Sequence, residues 1–130
     1  MKRQRSRRGI SLIEIIVVIT IISMLMSAVG VYALGVHRTA QINTARMDVR
    51  NAASALDVYR ASHGRYPDPS EGFAPVIKSR ALKTAPMDPW HHPLSWELRD
   101  GEAVVISLGA DGVKGGVDDN ADLSSSDPED

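Results

Sequence analysis

Hydrophobic and polar positions divide the 130-residue chain into stretches of different rhythm. Over residues 10–29 (ISLIEIIVVITIISMLMSAV) fifteen of the 20 positions are apolar, and the apolar character persists to about Val36. A helix needs about 20 such residues to cross a bilayer, and it satisfies its backbone groups from within. Past Val36 the pattern narrows to one stripe. Ile42, Ala45, Val49, Ala52, Leu56 and Tyr59 recur at spacings of three and four, with Arg46, Arg50, Asp57 and Arg60 on the opposite face, which is the signature of a helix with one buried side. Gly64 supplies a stop and Pro67 bars continuation. The pattern predicts one helix over about 11–63, apolar all round in its first half and packing one stripe against a small sheet in its second.

Residues 64–93 break the rhythm, with prolines at 67, 69, 75, 86, 89 and 93 that forbid long regular elements; a short helix near 72–79 is expected. Residues 94–98 alternate apolar and polar, Arg99-Asp100-Gly101 supplies a turn, and residues 102–108 read as a more buried strand. Two strands alone are marginal, so the hairpin must lean on the stem helix. Residues 108–119 (LGADGVKGGVDD) are rich in glycine and aspartate, and residues 124–130 (SSSDPED) are polar, acidic and without core, so they are expected to be disordered.

Charge sharpens the picture. The formal net charge of -1 is the sum of two lopsided ends. Residues 1–9 hold Lys2, Arg3, Arg5, Arg7 and Arg8 and no acid, whereas residues 111–130 hold seven acids against Lys114 alone. A basic cluster ahead of an apolar helix stays in the cytoplasm and sends the rest of the chain outward. A cleaved secretory signal would have a shorter apolar region ending in a small-x-small site; this stretch is longer and lacks such a site. A plain signal anchor accounts for everything except Glu14, which sits four residues into the apolar run. A carboxylate in lipid costs at least about 2–3 kcal/mol and implies a partner. Residues 10–36 contain no cationic side chain, so the partner must come from a neighbouring subunit or a newly made N-terminal amine.

The absence of cysteine excludes disulfide scaffolds, Cys-type zinc sites, iron–sulfur clusters and cysteine nucleophiles. An aromatic content of 5% argues against a base-stacking nucleic-acid surface. His91 and His92 are adjacent but have no third ligand at sensible spacing. Trp90 reads as a core anchor and Tyr66 as packing. In the glycine-rich stretch Asp111, Asp118 and Asp119 offer hard oxygen ligands of the kind calcium takes together with backbone carbonyls. The EF-hand pattern is absent, since Leu123 occupies the glycine position after Asp118, Asn120 and Asp122. On residues alone, a cation loop and a solvated acidic turn both stay open.

The stretch Arg8-Gly9-Ile10-Ser11-Leu12-Ile13-Glu14 resembles the class III signal of type IV pilins and pseudopilins. The resemblance implies that a prepilin peptidase cuts after Gly9, that Ile10 becomes the N-methylated first residue, and that Glu14 of one subunit pairs with the terminal amine of the next during assembly. Ile10 stands where the family usually has Phe, and Val31 where many members have Pro. Arg65-Tyr66-Pro67, Glu71-Gly72 and Asp88-Pro89-Trp90 are similar to stretches of the major pseudopilin of type II secretion, with His91 in place of the Gly that normally follows the Trp. Residues 108–119 resemble the calcium loop of that family. Carried over, Asp111, Asp118 and Asp119 would be side-chain ligands of Ca2+, Leu108 and Gly116 would offer carbonyls, and Asp122 is a reserve ligand.

The resemblance implies an α+β, pilin-like fold. It would consist of a cleaved leader (1–9), a transmembrane and assembly helix (10–35), an amphipathic stem (36–64), a globular periplasmic part (65–123) and an acidic tail (124–130). It further implies a non-enzymatic role as major structural subunit of the type II secretion pseudopilus, a helical homopolymer that drives export of folded proteins. The implied location is the bacterial inner membrane, single-pass with the C-terminus periplasmic. The implied partners are further copies of the chain, minor pseudopilins, the prepilin peptidase and the inner-membrane assembly platform. The alternatives are a type IV pilus subunit or minor pseudopilin, against which the missing C-terminal Cys pair of pili counts, and a signal-anchored periplasmic enzyme, for which no catalytic constellation speaks.

Overall fold

The computed structural model describes residues 9–128, without the side chains of residues 28, 31, 33 and 34. The basic leader over residues 1–8 and the last two residues of the acidic tail lie outside it. The first helix, α1, covers Leu12–His63, 52 residues, within one residue of the span its periodicity predicts. Contacts divide the chain into two units, Met1–His37 and Arg38–Asp130.

In the first unit the helix starts behind Ser11, whose backbone N–H donates to Glu14 Oε2 at 3.4 Å. This Ser-x-x-Glu arrangement is one arm of a capping box, closing a donor that the first turn would leave open. The hydroxyls of Thr20, Ser23 and Ser27 donate to the carbonyls of Ile16, Ile19 and Ser23 at 2.7, 2.7 and 2.9 Å. These polar side chains are thus satisfied inside the helix. α1 passes through Gly30, Val31 and Gly35 as helix. Up to Val36 its described large apolar side chains are exposed, Leu12 by 79% and Ile15 by 45%. Among the described residues no helix is long and apolar enough to cross a membrane. Fully described side chains run unbroken only over residues 12–27 of this stretch, short of the about 20 a span needs.

In the second unit the predicted stripe is the buried one. Ala45, Val49, Ala52 and Leu56 are closed to solvent, joined by Ala55, while Ile42 and Tyr59 are half-buried at its ends. Val49, Ala52, Ala55 and Leu56 of the stripe pack with Phe73, Val76, Leu94, Trp96 and Val105 into one core. α1 ends where Gly64 takes φ +75° and donates its N–H to the Arg60 carbonyl at 2.7 Å. A 3-10 turn over Pro69–Glu71 follows, capped by Asp68, whose carboxylate accepts from both the N–H and the hydroxyl of Ser70. Those bonds hold the Asp68 carboxyl below its ordinary pKa. A short helix α2, Ala74–Lys78, lies inside the predicted 72–79.

Strands β1, Ser95–Arg99, and β2, Glu102–Ser107, pair antiparallel, with Trp96 opposite Val105. Asp100 and Gly101 both take positive φ, +53° and +84°, so the two-residue connection has the twist that right-handed strands prefer.

Two expectations are corrected. A third strand, β3, Leu123–Ser124, pairs antiparallel with the end of β2, so the segment from Ser124 is not without structure. Ser125 donates its N–H to the Val105 carbonyl at 2.9 Å and its hydroxyl accepts from Val105 N–H at 2.9 Å. Ser124 N–H donates to Asp127 Oδ2 at 2.7 Å. Backbone and hydroxyl pairing to the open edge of β2 orders a stretch that has little apolar surface of its own. The tryptophan that anchors the core is Trp96, 6% exposed, its indole N–H on the Gly72 carbonyl at 3.0 Å. Trp90 is only half-buried.

Candidate functional site

Three places carry the residues that the sequence singled out. The first is the amino end of α1. Gly9 and Ile10 are exposed and precede the helix, and a Cβ on Gly9 would meet no atom within 4 Å. Among the described residues nothing crowds Gly9. Glu14, one turn further on, caps the helix through Ser11 and lies on an exposed apolar segment.

The second is the loop around Asp88-Pro89-Trp90, where the organising residue is one whose role the sequence reading did not assign. Asp88 is 4% exposed. Its Oδ1 accepts from the N–H groups of Trp90 at 3.1 Å and His92 at 2.8 Å, and its Oδ2 accepts the Ser107 hydroxyl at 2.8 Å. Ser107 Oγ in turn accepts from Gly109 N–H at 3.3 Å. A buried carboxylate with three donors is a satisfied hub, and it ties this loop to the end of β2. Burial, and after it the Asp88 charge, raises the Asp48 carboxyl on α1 above its ordinary pKa of 3.8. The signal for Asp88 was an Asp directly before Pro-Trp, a spacing that lets a carboxylate cap the turn it opens. His91 takes the left-handed φ of +69° at the position where a glycine would be unstrained.

The third is the glycine-rich loop after β2. His92 Nδ1 lies 3.0 Å from the Gly109 carbonyl, and a Cβ on Gly112 would come within 3.0 Å of its Nε2. The imidazole thus seats one end of the loop. A Cβ on Gly109 would lie 2.8 Å from the Ala121 carbonyl, and one on Gly116 would collide with the Asn120 carbonyl. The loop folds back tightly enough that only glycine is accommodated at both points. Ala110 N–H donates to the Asp119 carbonyl at 2.8 Å.

The sequence-named acids are spread along this loop. Asp111 is exposed and accepts from Val113 N–H at 3.0 Å. Asp118 is exposed at φ +54°. Asp119 is half-buried, with Oδ2 3.3 Å from Arg38 Nε. Asp122 accepts from Gly115 N–H at 3.0 Å. Leu108 and Gly116 flank the fold-back at half-buried and exposed positions. Among the described residues no three His, Asp or Glu side chains come together as a metal-holding group. In kind the donors suit a hard cation, being carboxylates and carbonyls on a backbone cradle that a Cβ would fill; as arranged, Asp111 and Asp122 accept from N–H groups and Asp119 faces Arg38.

Tyr66 packs against the core, as expected, and is also polar at its tip. Its hydroxyl donates to Asp57 Oδ1 at 2.5 Å and accepts from Arg60 at 3.3 Å, with the guanidinium 5.0 Å from the ring centroid. The Tyr66 contact holds Arg60 above its ordinary pKa.

A long N-terminal helix carrying this exposed apolar end, followed by a small antiparallel sheet, defines a pilin-like protein. The prokaryotic N-terminal methylation motif matches residues 4–30. A second family model, described as type II secretion system protein G, matches residues 32–126. The chain is 31% identical to type II secretion system core protein G of Pseudomonas aeruginosa, over 93% of this chain and 96% of that protein. It is 30% identical to the core protein G of Vibrio cholerae, over 95% and 94%, and 30% identical to that of Escherichia coli, over 92% of each. The chain belongs to the type II secretion system protein G family.

Proposed function

We propose that the chain is the major structural subunit of the type II secretion pseudopilus, without catalytic activity of its own. The leader is removed after Gly9 by a prepilin peptidase, Ile10 becomes the methylated first residue, and residues 10–35 hold the subunit as a single-pass helix in the inner membrane until assembly. The observation that carries this reading is an exposed Gly9–Ile10 pair directly ahead of a helix whose described large apolar side chains are exposed up to Val36. Such a helix leaves lipid only into another apolar environment, and the packed helices of neighbouring copies provide one. Head-to-tail contacts that do not close generate an open filament. On leaving the Ser11 cap, the Glu14 carboxylate neutralises the terminal amine of an adjacent subunit, removing two charges that an apolar surrounding penalises. Minor pseudopilins and the inner-membrane assembly platform are the further partners.

We also propose that the glycine-rich loop takes Ca2+ through Asp111, Asp118 and Asp119 and the carbonyls of Leu108 and Gly116. The support is the hard-oxygen donor set, the glycine cradle and the residue-by-residue likeness to the family's loop. When bound, the ion would neutralise a segment that gathers several aspartates.

The deciding experiment is the intact mass of the protein from cells that carry the peptidase. A chain beginning at methylated Ile10 is expected, and an uncut Met1 would remove the reading. Glu14→Ala is expected to stay in the membrane while filament growth fails, and unchanged filaments would remove the charge pairing. Asp118→Ala is expected to abolish the calcium-dependent rise in Tm.

A further inference from the structure

An ion pair reaches the glycine-rich loop from α1: Arg38 and Asp119, with Nε and Oδ2 3.3 Å apart. Arg38 is the first residue of the second unit. Asp119 is fixed at its backbone by the Ala110 N–H and its side chain is only 30% exposed, against 68% for that of Arg38. A half-buried carboxylate needs a compensating charge. In this arrangement a guanidinium supplies it at an atom through which calcium would bind.

We propose that Arg38 is the loop's resident counter-cation. It holds Asp119 when calcium is absent and yields it when calcium binds, so a side chain of the stem sets the calcium threshold of the loop. This rests on the calcium reading above. One carboxylate oxygen cannot serve both cations at close range, because a calcium ligand sits at about 2.3–2.6 Å and the two positive charges would repel. The exposed guanidinium is the partner that is cheap to displace, since solvent and salt screen its attraction. The loop therefore stays folded without metal, and part of calcium's binding energy is spent on displacing Arg38.

The test is calcium titration by calorimetry of the processed full-length protein in detergent at low ionic strength, comparing wild type with Arg38→Gln, together with Tm in chelator and in calcium. Removing a competing surface ion pair is expected to tighten calcium binding about threefold to fivefold. It should lower Tm in chelator and leave the calcium-loaded Tm at the wild-type value. In an Asp119→Asn background the chelator effect of Arg38→Gln is expected to vanish, as it must if the two act as a pair. Wild type that binds calcium, with Arg38→Gln binding equally or more weakly, would overturn the proposal alone. Wild type with no calcium heat and no calcium-dependent Tm would overturn the calcium reading and this proposal with it.

Discussion

Along α1, the described large apolar side chains between Leu12 and Val36 are 45–79% exposed, whereas Ala45, Val49, Ala52 and Leu56 are closed to solvent. Both halves are helical, and the first is the more apolar, so helix formation does not separate them. What differs is whether the chain supplies something to pack on. The second half meets Phe73, Val76, Leu94, Trp96 and Val105; among the described residues of its own unit, the first half leaves its large apolar side chains exposed. Packing of an amphipathic face stabilises most helices in proteins; on the function proposed above, lipid or other copies take that part for the first half. On that reading the same helix serves two ends, one for folding and one for assembly.

Core substitutions give the largest effect that tests this division. Leu56→Ala removes a fully buried side chain and is expected to cost about 3 kcal/mol. Ile16→Ala, at a side chain 47% exposed, is expected to leave the Tm of the processed protein in detergent unchanged while weakening filament assembly. A matching loss of Tm in both variants would mean that the two halves are not independent.

Next comes the hub. Asp88→Ala strips the acceptor from Trp90 N–H, His92 N–H and the Ser107 hydroxyl and leaves buried donors unpaired. Such a loss is expected to cost about 2–3 kcal/mol and to raise proteolytic sensitivity at the glycine-rich loop. Asp88→Asn keeps one acceptor and is expected to cost less. If the two variants melt together, the hydrogen bonds are not what holds this loop.

The contrast between the halves also explains what could be read in advance. The stripe from Ala45 to Leu56 was legible because one buried face imposes a period, and the hairpin because Asp100-Gly101 has two residues that tolerate positive φ. β3 was not, because a two-residue strand defined by backbone pairing to β2 leaves no period to find. Asp88 was visible as part of a motif but not as its centre, since closing off its carboxylate depends on Ser107 arriving from the end of β2, 19 residues on. Arg38–Asp119 joins residues 81 positions apart and has no local trace. Trp90 and Trp96 look alike in sequence; pairing opposite Val105 places only the second inside.

A smaller effect probes the backbone of the hub. His91 occupies φ +69°, where an L side chain costs about 1–2 kcal/mol and glycine nearly nothing. Glycine also loosens the unfolded chain, which offsets part of the gain. His91→Gly is therefore expected to stabilise by about 0.5–1 kcal/mol, read as a rise of about 4 °C in Tm. A fall in Tm would show that the imidazole contributes a contact that outweighs the strain.

The smallest effect lies where the stem meets the hub, and pH reveals it. Burial and then the Asp88 charge raise the Asp48 carboxyl above its ordinary 3.8. The native state therefore holds that proton more tightly than the unfolded chain does. The resulting stability is complete below the ordinary carboxylate value and is lost as pH rises through the higher native value. At neutral pH the charged Asp48 is thus a cost, and Asp48→Asn is expected to raise Tm by less than His91→Gly does. The gain should shrink as pH falls through the carboxylate range and vanish below the ordinary value, where the wild-type group is protonated in both states. A gain from Asp48→Asn that is the same at pH 3 and pH 7 would assign the effect to packing instead of charge. With Asp88→Asn as background, part of the neutral-pH gain should also disappear, because one of the two causes of the raised carboxyl has been removed.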